Sequence, residues 1–171
     1  MDLTSIDYSL TEKIANLIHK NSKWRTPIRI FTMTGTYIFW FPLLVVWNLL
    51  FPDDWQFPFL IMQTWNMLLV QAIKRIVKRD RPEFGDFSMG VVKFDVHSFP
   101  SGHSARAAIV MMIMPSLFPN FAWFWILWGM AIMLSRLLLG VHYVSDIVGG
   151  YIVGIVSLFP LFLFDYFDPL F

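Results

Sequence analysis

The stretch Phe99-Pro100-Ser101-Gly102-His103 joins a charged segment to a long apolar run. Proline and a hydroxyl residue are typical of a helix start, where free backbone N–H groups and the helix dipole favour an anion. Gly102 lets a ligand approach the backbone, and His103 falls in the first turn. The stretch therefore predicts an anion-binding helix start. The alternative is an ordinary capped helix with a histidine at the membrane interface.

Composition indicates an integral membrane protein. Of the 171 residues, 57% are hydrophobic and 15% are charged, whereas soluble domains average about 45–50% apolar and about 25% charged residues. The net charge of +1 argues against a nucleic-acid partner. The chain has no cysteine, which excludes disulfides and thiolate metal sites. The length suits one domain, residues 1–171.

Apolar runs long enough to cross a bilayer predict an all-α membrane protein, a bundle of five to six transmembrane helices. A proline, Pro42, is a possible kink in the first span, and the amides of the second span should face other helices. Gly150 and Gly154 have the spacing that lets two helices approach closely. The five predicted spans are residues 27–50, 56–77, 101–117, 121–139 and 144–164.

Two polar segments complete the predicted organisation. Residues 1–26 have the pattern of an amphipathic helix, with an apolar stripe containing Leu10 and Leu17, and lack the apolar core of a cleavable signal peptide. This helix either lies at the membrane interface or is solvated and packs on the loops. Residues 78–100 form a long polar loop, a feature that is often functional in a compact domain.

The five crossings place three polar clusters at one membrane face. They are residues 74–82, 99–103 and 135–146. In the first, Lys74 and Arg81 are seven residues apart, so two helical turns would align them, and Pro82 would loosen the helix at Arg81. The alternative is a basic segment attracted to anionic headgroups.

The last cluster combines a cation with a histidine–carboxylate pair. Arg136 follows Ser135 near the end of an apolar helix, where a charge is costly and usually functional. His142 and Asp146 are four residues apart, so the carboxylate can hold one imidazole N–H and leave the other nitrogen bare as a nucleophile or base. The alternative is a hydrogen-bonded pair that caps the next helix. Together the clusters predict phosphoryl transfer without a metal.

These motifs resemble the type 2 phosphatidic acid phosphatase family, which shares its site with vanadium-dependent haloperoxidases. The family pattern is Lys-x6-Arg-Pro, then Pro-Ser-Gly-His, then Ser-Arg-x5-His-x3-Asp. Here it is complete and in order across residues 74–146. The family core has six helices, so the five predicted spans leave the role of residues 1–26 open.

The resemblance implies a role for each matching residue. His142 would be the nucleophile that forms a phosphohistidine, oriented by Asp146, and His103 would protonate the leaving group. No cofactor or metal is implied, and the partners are a lipid substrate and the bilayer. The residues implied to hold the phosphate oxygens are Lys74, Arg81, Ser101, Gly102 and Arg136.

Arg106, one turn beyond His103, offers a further cation for a second phosphate. The run from Phe99 to Arg106 is also similar to polyisoprenoid diphosphate phosphatases, which favours a prenyl diphosphate substrate. Alternatives are phosphatidylglycerophosphate and phosphatidate. The alternative is that Arg106 forms an ion pair with Asp95 or Asp86 at the interface.

The 13 Lys and Arg residues lie on or next to the motif side of this topology. The positive-inside rule then places the N-terminus and the site in the cytoplasm, in a multi-pass protein of the cell membrane. The far side would carry acidic residues, Asp53, Asp54, Asp165 and Asp168.

Two competing functions are a catalytically silent scaffold or transporter and a vanadate-binding peroxidase, although such peroxidases are typically soluble and larger.

Overall fold

A computed structural model describes residues 3–20, 22–51, 55–85 and 95–159 of the chain. Regular structure in these residues is helical throughout, as predicted. Short 3-10 turns, Ser22–Trp24 and Pro119–Phe121, precede the second and sixth helices. The seven α-helices among the described residues are α1 (Leu3–His19), α2 (Arg25–Met33), α3 (Tyr37–Leu50), α4 (Gln56–Val77), α5 (Gly102–Leu117), α6 (Ala122–Leu138) and α7 (Val144–Val156).

Helix α5 lies at the centre of the bundle and packs mainly on α6 and α7. Most of its apolar residues are buried, among them Ala105, Ile109 and Met114, although Met112 is exposed, and this extent of burial is typical of a central helix. The main apolar cluster joins it to α3, α4 and the residues after α7. That cluster consists of Trp40, Leu44, Phe59, Met62, Ile109, Val110, Ile113, Met114 and Leu158.

The predicted first span, residues 27–50, is two helices rather than one. Helices α2 and α3 meet at a break and are bent by 46° to each other. The break lies at residues 34–36, ahead of Pro42, which remains inside α3. The Thr36 hydroxyl accepts a hydrogen bond from the Phe39 N–H at 3.2 Å and so caps the start of α3. The observed bend therefore lies at a threonine-capped helix start, and the possible kink at Pro42 stays a prediction.

Helix α1 lies against α6, α7 and the connection between them. Its buried positions are Thr11 and Ala15. Of the predicted apolar stripe, Leu10 and Leu17 are exposed by 45% and 67%, whereas Ile14 and Ile18 are half-buried. The small residues are therefore the most buried positions of α1, and part of its apolar stripe is left on the outer surface.

The predicted close approach of Gly150 and Gly154 to another helix occurs between α7 and α5. A Cβ at Gly150 would lie 2.4 Å from the Ser101 carbonyl oxygen, and one at Gly154 would lie 2.3 Å from that of Ala105. Residues without a side chain are required at both places. The two helices that carry much of the predicted site are thereby held in direct backbone contact.

The amides predicted to face other helices are Gln63, Asn66 and Gln71. Gln63 and Asn66 are buried, and Asn66 donates to the Ser157 hydroxyl at 2.8 Å. Gln71 is half-buried. These side chains of α4 therefore point at least partly into the bundle.

Among the described residues, one helical stretch is long and apolar enough by itself to cross a membrane, Pro119–Leu138. The bent pair α2–α3 meets the same criterion when taken together. The prediction of five spans stays a prediction. Residues 160–164 of the fifth span and the acidic far-side residues lie outside the described part of the chain.

Candidate active site

The first motif reaches the site through a chain reversal after α4. The helix ends at Val77, because Lys78 adopts a left-handed conformation with φ of 50°. The prediction that two helical turns align Lys74 with Arg81 is therefore wrong. The chain after Lys78 is not helical, and it returns Arg81 to the level of the buried Lys74.

Asp95 bridges these two cations. The Lys74 ammonium donates to Asp95 Oδ1 at 2.5 Å, and Arg81 Nη2 lies 3.1 Å from Asp95 Oδ2. Burial by itself would raise the pKa of Asp95, but the charges of Lys74 and Arg81 lower it below its usual value. An ionised carboxylate therefore lies between the two cations that the sequence assigns to a phosphate.

The second motif begins α5 as predicted. The Ser101 hydroxyl accepts a hydrogen bond from the Ser104 N–H at 3.4 Å, which makes Ser101 the N-cap. The Ser101 N–H donates to the Asp146 carbonyl at 3.0 Å and so ties α5 to α7. The His103 ring packs on the break between α2 and α3, since a Cβ at Gly35 would lie 3.2 Å from its Cδ2.

The third motif depends on how α6 ends. Gly140 has φ of 65°, in the left-handed region that glycine adopts without strain. Its N–H donates to the Leu137 carbonyl at 2.9 Å, and that of Val141 donates to the Arg136 carbonyl at 3.2 Å. This is the Schellman arrangement of a helix C-terminus. It turns the chain back across the bundle and delivers His142 to the other two motifs.

Arg136 lies in the last turn of α6. Its Nη1 donates to the Thr32 hydroxyl of α2 at 3.3 Å, and the Ser135 hydroxyl donates to the same oxygen at 2.9 Å. Among the residues that the structure describes, none is a hydrogen-bond partner of its buried Nε. The guanidinium is therefore held by α2 and still has a donor to offer.

His142 is 1% exposed and lies between a cation and a carboxylate. Its Nε2 is 3.5 Å from Arg81 Nη1, and its Nδ1 is 3.5 Å from Asp146 Oδ2. Burial, with the charges of Arg136, Arg81 and Lys74, lowers the pKa of His142 well below its ordinary value. This direction favours the neutral imidazole.

Asp146 mainly caps α7. Its Oδ2 accepts the Tyr143 N–H at 2.8 Å, and its Oδ1 accepts Arg79 Nη1 at 2.9 Å. The distance of 3.5 Å to His142 Nδ1 exceeds that of an ordinary hydrogen bond. Both sequence interpretations therefore describe part of what this carboxylate does: it caps a helix and faces the imidazole.

Arg106 is buried, 8% exposed, and its Nε donates to the Gly35 carbonyl at 3.1 Å. Its alternative partner Asp95 pairs with Lys74 and Arg81 instead. The other candidate, Asp86, lies outside the described residues. A Cβ at Gly102 would lie 4.0 Å from Arg106 Nη2, so this guanidinium adjoins the start of α5.

Sequence reasoning missed four side chains around the site, since none of them belongs to a motif. Asp95 was considered only as part of the polar loop and as a possible partner of Arg106, not as the partner of Lys74 and Arg81. The threonine and arginine partners have no sequence signal, because their contacts join distant parts of the chain. The four are Asp7, Thr32, Arg79 and Asp95.

The arrangement of the three motifs can be compared with known proteins. The model of the PAP2 superfamily matches residues 55–168, which include all three motifs and two thirds of the chain. The chain belongs to the PAP2 superfamily. The resemblance to type 2 phosphatidic acid phosphatases, drawn from the motifs alone, is confirmed.

Curated relatives of this PAP2 protein are phosphatases. Phosphatidylglycerophosphatase B of Bacillus subtilis is 33% identical over 58% of this chain and 53% of its own length. Decaprenylphosphoryl-5-phosphoribose phosphatase of Mycolicibacterium smegmatis is 42% identical over 46% of this chain and 43% of its own. The chain therefore spans about half the length of these relatives. The family therefore includes phosphatases, and the activity of this chain itself stays a prediction.

Solved structures share the fold. A transmembrane PAP2-type phosphatidylglycerolphosphate phosphatase from Bacillus subtilis has a TM-score of 0.78 at 23% identity, over 97% of this chain and 87% of that one. LpxE of Aquifex aeolicus has a TM-score of 0.66 at 26% identity, over 88% and 93%. The all-helical bundle is thus the PAP2 fold.

Proposed function

We propose that this PAP2 protein is an integral membrane lipid phosphatase that works through a phosphohistidine, without a metal. The observation that carries the proposal is the position of His142. Its Nε2 lies 3.5 Å from Arg81, while its Nδ1 faces the Asp146 carboxylate. A neutral imidazole that directs its bare nitrogen toward a group of cations is suited to attack a bound phosphate.

The reaction has two steps. His142 Nε2 attacks phosphorus, the N–P bond forms, and the bond to the lipid oxygen breaks as His103 donates a proton to that oxygen. Water then attacks phosphorus, His103 takes its proton, and the N–P bond breaks to release phosphate and neutral His142. The phosphate oxygens are held by Lys74, Arg81, Arg136 and the Ser101-Gly102 backbone.

The phosphate takes the place of the Asp95 carboxylate between Lys74 and Arg81 in this mechanism. These two side chains are 3% and 9% exposed, so the cations are poorly hydrated and interact strongly with an anion. Arg136, whose Nε is unpaired within the described part of the chain, supplies a further donor. The site thus offers three cations from three segments of the chain.

A bilayer location is supported by the outer surface of the bundle. Large apolar side chains more than half exposed occur on α3, α4, α6 and α7, and a water-soluble monomer rarely exposes so much apolar surface. Lipid contact explains this surface, and it also gives a lipid substrate access to the site. Examples are Ile38, Leu49, Leu68, Leu127 and Ile152.

A polyprenyl diphosphate is the proposed substrate. Arg106 adjoins Gly102, where it can reach a second phosphate beside the first. The relative from Mycolicibacterium smegmatis is named for a polyprenyl-linked phosphate. Phosphatidylglycerophosphate is the second candidate, favoured by the match to phosphatidylglycerophosphatase B.

Phosphate release by the purified protein from a substrate panel tests the proposal. The panel contains phosphatidate, phosphatidylglycerophosphate and prenyl diphosphates of different chain lengths. His142→Ala should abolish release and the acid-labile phosphoenzyme, while His19→Ala, at the end of α1, retains both. A folded protein that hydrolyses none of these lipids would instead support the scaffold or transporter function. Full activity of His142→Ala would refute the phosphohistidine.

The diphosphate preference has a separate test. Arg106→Ala should lower kcat/KM for a prenyl diphosphate about tenfold more than for the matching monophosphate. The reason is that only the diphosphate has a second phosphate, which would lose its contact with the Arg106 guanidinium. Arg75→Ala, at an exposed position of α4, is the matched control. Equal losses on the two substrates would reject a second phosphate site.

Membrane orientation is the last part of the proposal. The contacts of α1 with Ser145 place the N-terminal helix at the end of the bundle that holds the site. We expect a cytoplasmic site, so a cysteine at Ser5 should resist an impermeant label in intact cells and one at Leu170 should react. Labelling at position 5 would overturn this orientation.

A further inference from the structure

The N-terminal helix α1 is joined to the start of α7 by a group of polar contacts. Thr11, fully buried, accepts the Val144 N–H at 3.2 Å. Asp7 Oδ1 accepts the Ser145 N–H at 3.0 Å, and the Ser145 hydroxyl donates to Asp7 Oδ2. These contacts satisfy first-turn N–H groups of α7 that have no partner within the helix. The negative charge of Asp7 at the N-terminus of α7 also interacts favourably with the helix dipole.

Arg79 extends this group from Asp7 to Asp146. Its Nη2 donates to Asp7 Oδ2 at 2.8 Å, and its Nη1 donates to Asp146 Oδ1 at 2.9 Å and to the Ser145 hydroxyl at 2.5 Å. The guanidinium also lies 4.1 Å from the centre of the Tyr143 ring. One arginine therefore bridges two carboxylates on helices α1 and α7.

The position of the Asp146 carboxylate is set by these donors. Arg79 holds one oxygen and the Tyr143 N–H holds the other. The second oxygen is the one that faces His142 Nδ1, at 3.5 Å. If Arg79 were absent, the carboxylate could rotate about its last bond, and the imidazole would lose its fixed neighbour.

We propose that Asp7 and Arg79 are positioning residues for the reaction: Asp7 holds Arg79, Arg79 holds Asp146, and Asp146 orients His142. The proposal rests on the proposed function of His142 as the nucleophile. It gives residues 1–26, whose role the sequence left open, a part in the active site. Neither Asp7 nor Arg79 belongs to the three motifs.

The pH dependence of kcat/KM distinguishes this positioning role from structural support alone. Removal of the Arg79 cation takes away a positive charge beside the Asp146–His142 pair that disfavours the imidazolium, so the pKa of His142 rises. The acid limb of kcat/KM then moves to higher pH. The other charged or titratable groups that face His142 stay in place in such a variant, namely Lys74, Arg81, Asp95, His103 and Arg136.

The experiment compares Asp7→Asn and Arg79→Gln with two controls that make the same charge changes at exposed positions, Glu12→Gln on α1 and Arg75→Gln on α4. Both test variants should lower kcat at least about tenfold with little change in KM, because substrate contacts remain while the nucleophile loses its orientation. Arg79→Gln should also move the acid limb upward. The controls should match the wild type.

Further variants separate the possible outcomes. Arg79→Lys keeps the charge, so its acid limb should stay at the wild-type pH even if kcat falls. The double variant Asp7→Asn/Arg79→Gln should lose no more than the worse single variant, since both act through one chain of contacts. A wild-type kcat in Arg79→Gln, an acid limb that does not move, or additive losses would each overturn the inference. Activity of His142→Ala would instead refute the proposed function.

Discussion

Replacing Gly150 by alanine tests the contact between α5 and α7 on which the site depends. The added Cβ would lie 2.4 Å from the Ser101 carbonyl oxygen, whereas ordinary contact begins at 3.4 Å. The start of α5 must therefore move by about 1.0 Å, the difference of these distances. A displacement of about 1 Å in a catalytic arrangement can cost roughly 100-fold in rate.

The stability of Gly150→Ala against unfolding should fall together with its rate. Overpacking costs roughly 1–3 kcal/mol, and alanine in place of glycine gains about 1 kcal/mol in a helix. For Gly150→Ala the clash is with backbone, which cannot rotate away, so we expect a net loss of stability. Phosphate release in detergent and thermal unfolding followed by circular dichroism measure the two effects.

Gly149→Ala is the matched control. Its Cβ would meet the Phe99 ring at 2.4 Å, but the contact is with the far end of a side chain that can turn. We expect unchanged or slightly raised stability and a kcat within about twofold of wild type. If Gly150→Ala had wild-type kcat and melting temperature, the close contact of α5 and α7 would be refuted.

Three further predictions concern the cations and the nucleophile. Thr32→Val should raise KM about tenfold, because Arg136 loses a hydrogen-bond partner; an unchanged KM would contradict this. Asp95→Asn should lower the inhibition constant of inorganic phosphate about tenfold, since an anion that competes for Lys74 is removed; weaker inhibition would reject competition. The acid limb of kcat/KM should lie below pH ~6.5, because the lowered pKa of His142 keeps it neutral there; a midpoint above that value, after correction for the titration of the substrate, would argue against His142.

Much of the fold could be predicted from the sequence, because long apolar runs have few alternatives to helix. The predicted second span, residues 56–77, coincides with α4, and the start of α5 at Ser101 follows from its capping chemistry. The break at residues 34–36 was missed since Pro42 is the more conspicuous helix breaker. A local signal was present in Thr-Gly-Thr, but it competes with a continuous apolar pattern.

In the candidate site, too, the residue types could be predicted from the sequence, but the contacts between them could not. The motifs identify a histidine, a carboxylate and three cations by residue type and spacing. The path by which they meet was not predictable: Arg81 comes back by a left-handed turn at Lys78 rather than along a helix. The contacts that Asp95 and Thr32 make with the cations were missed, because the local sequence does not show which distant side chain a residue will bind.

The sequence by itself determined the family of this protein and supplied the candidate reactive groups, because these groups and their order are covalent properties of the chain. Only the tertiary structure decided which of these groups touch. Asp7 and Ser145 meet across 138 residues, and Arg79 and Asp146 across 67. Such contacts arise from packing of whole helices, which no local pattern encodes, and they link the N-terminal helix to His142.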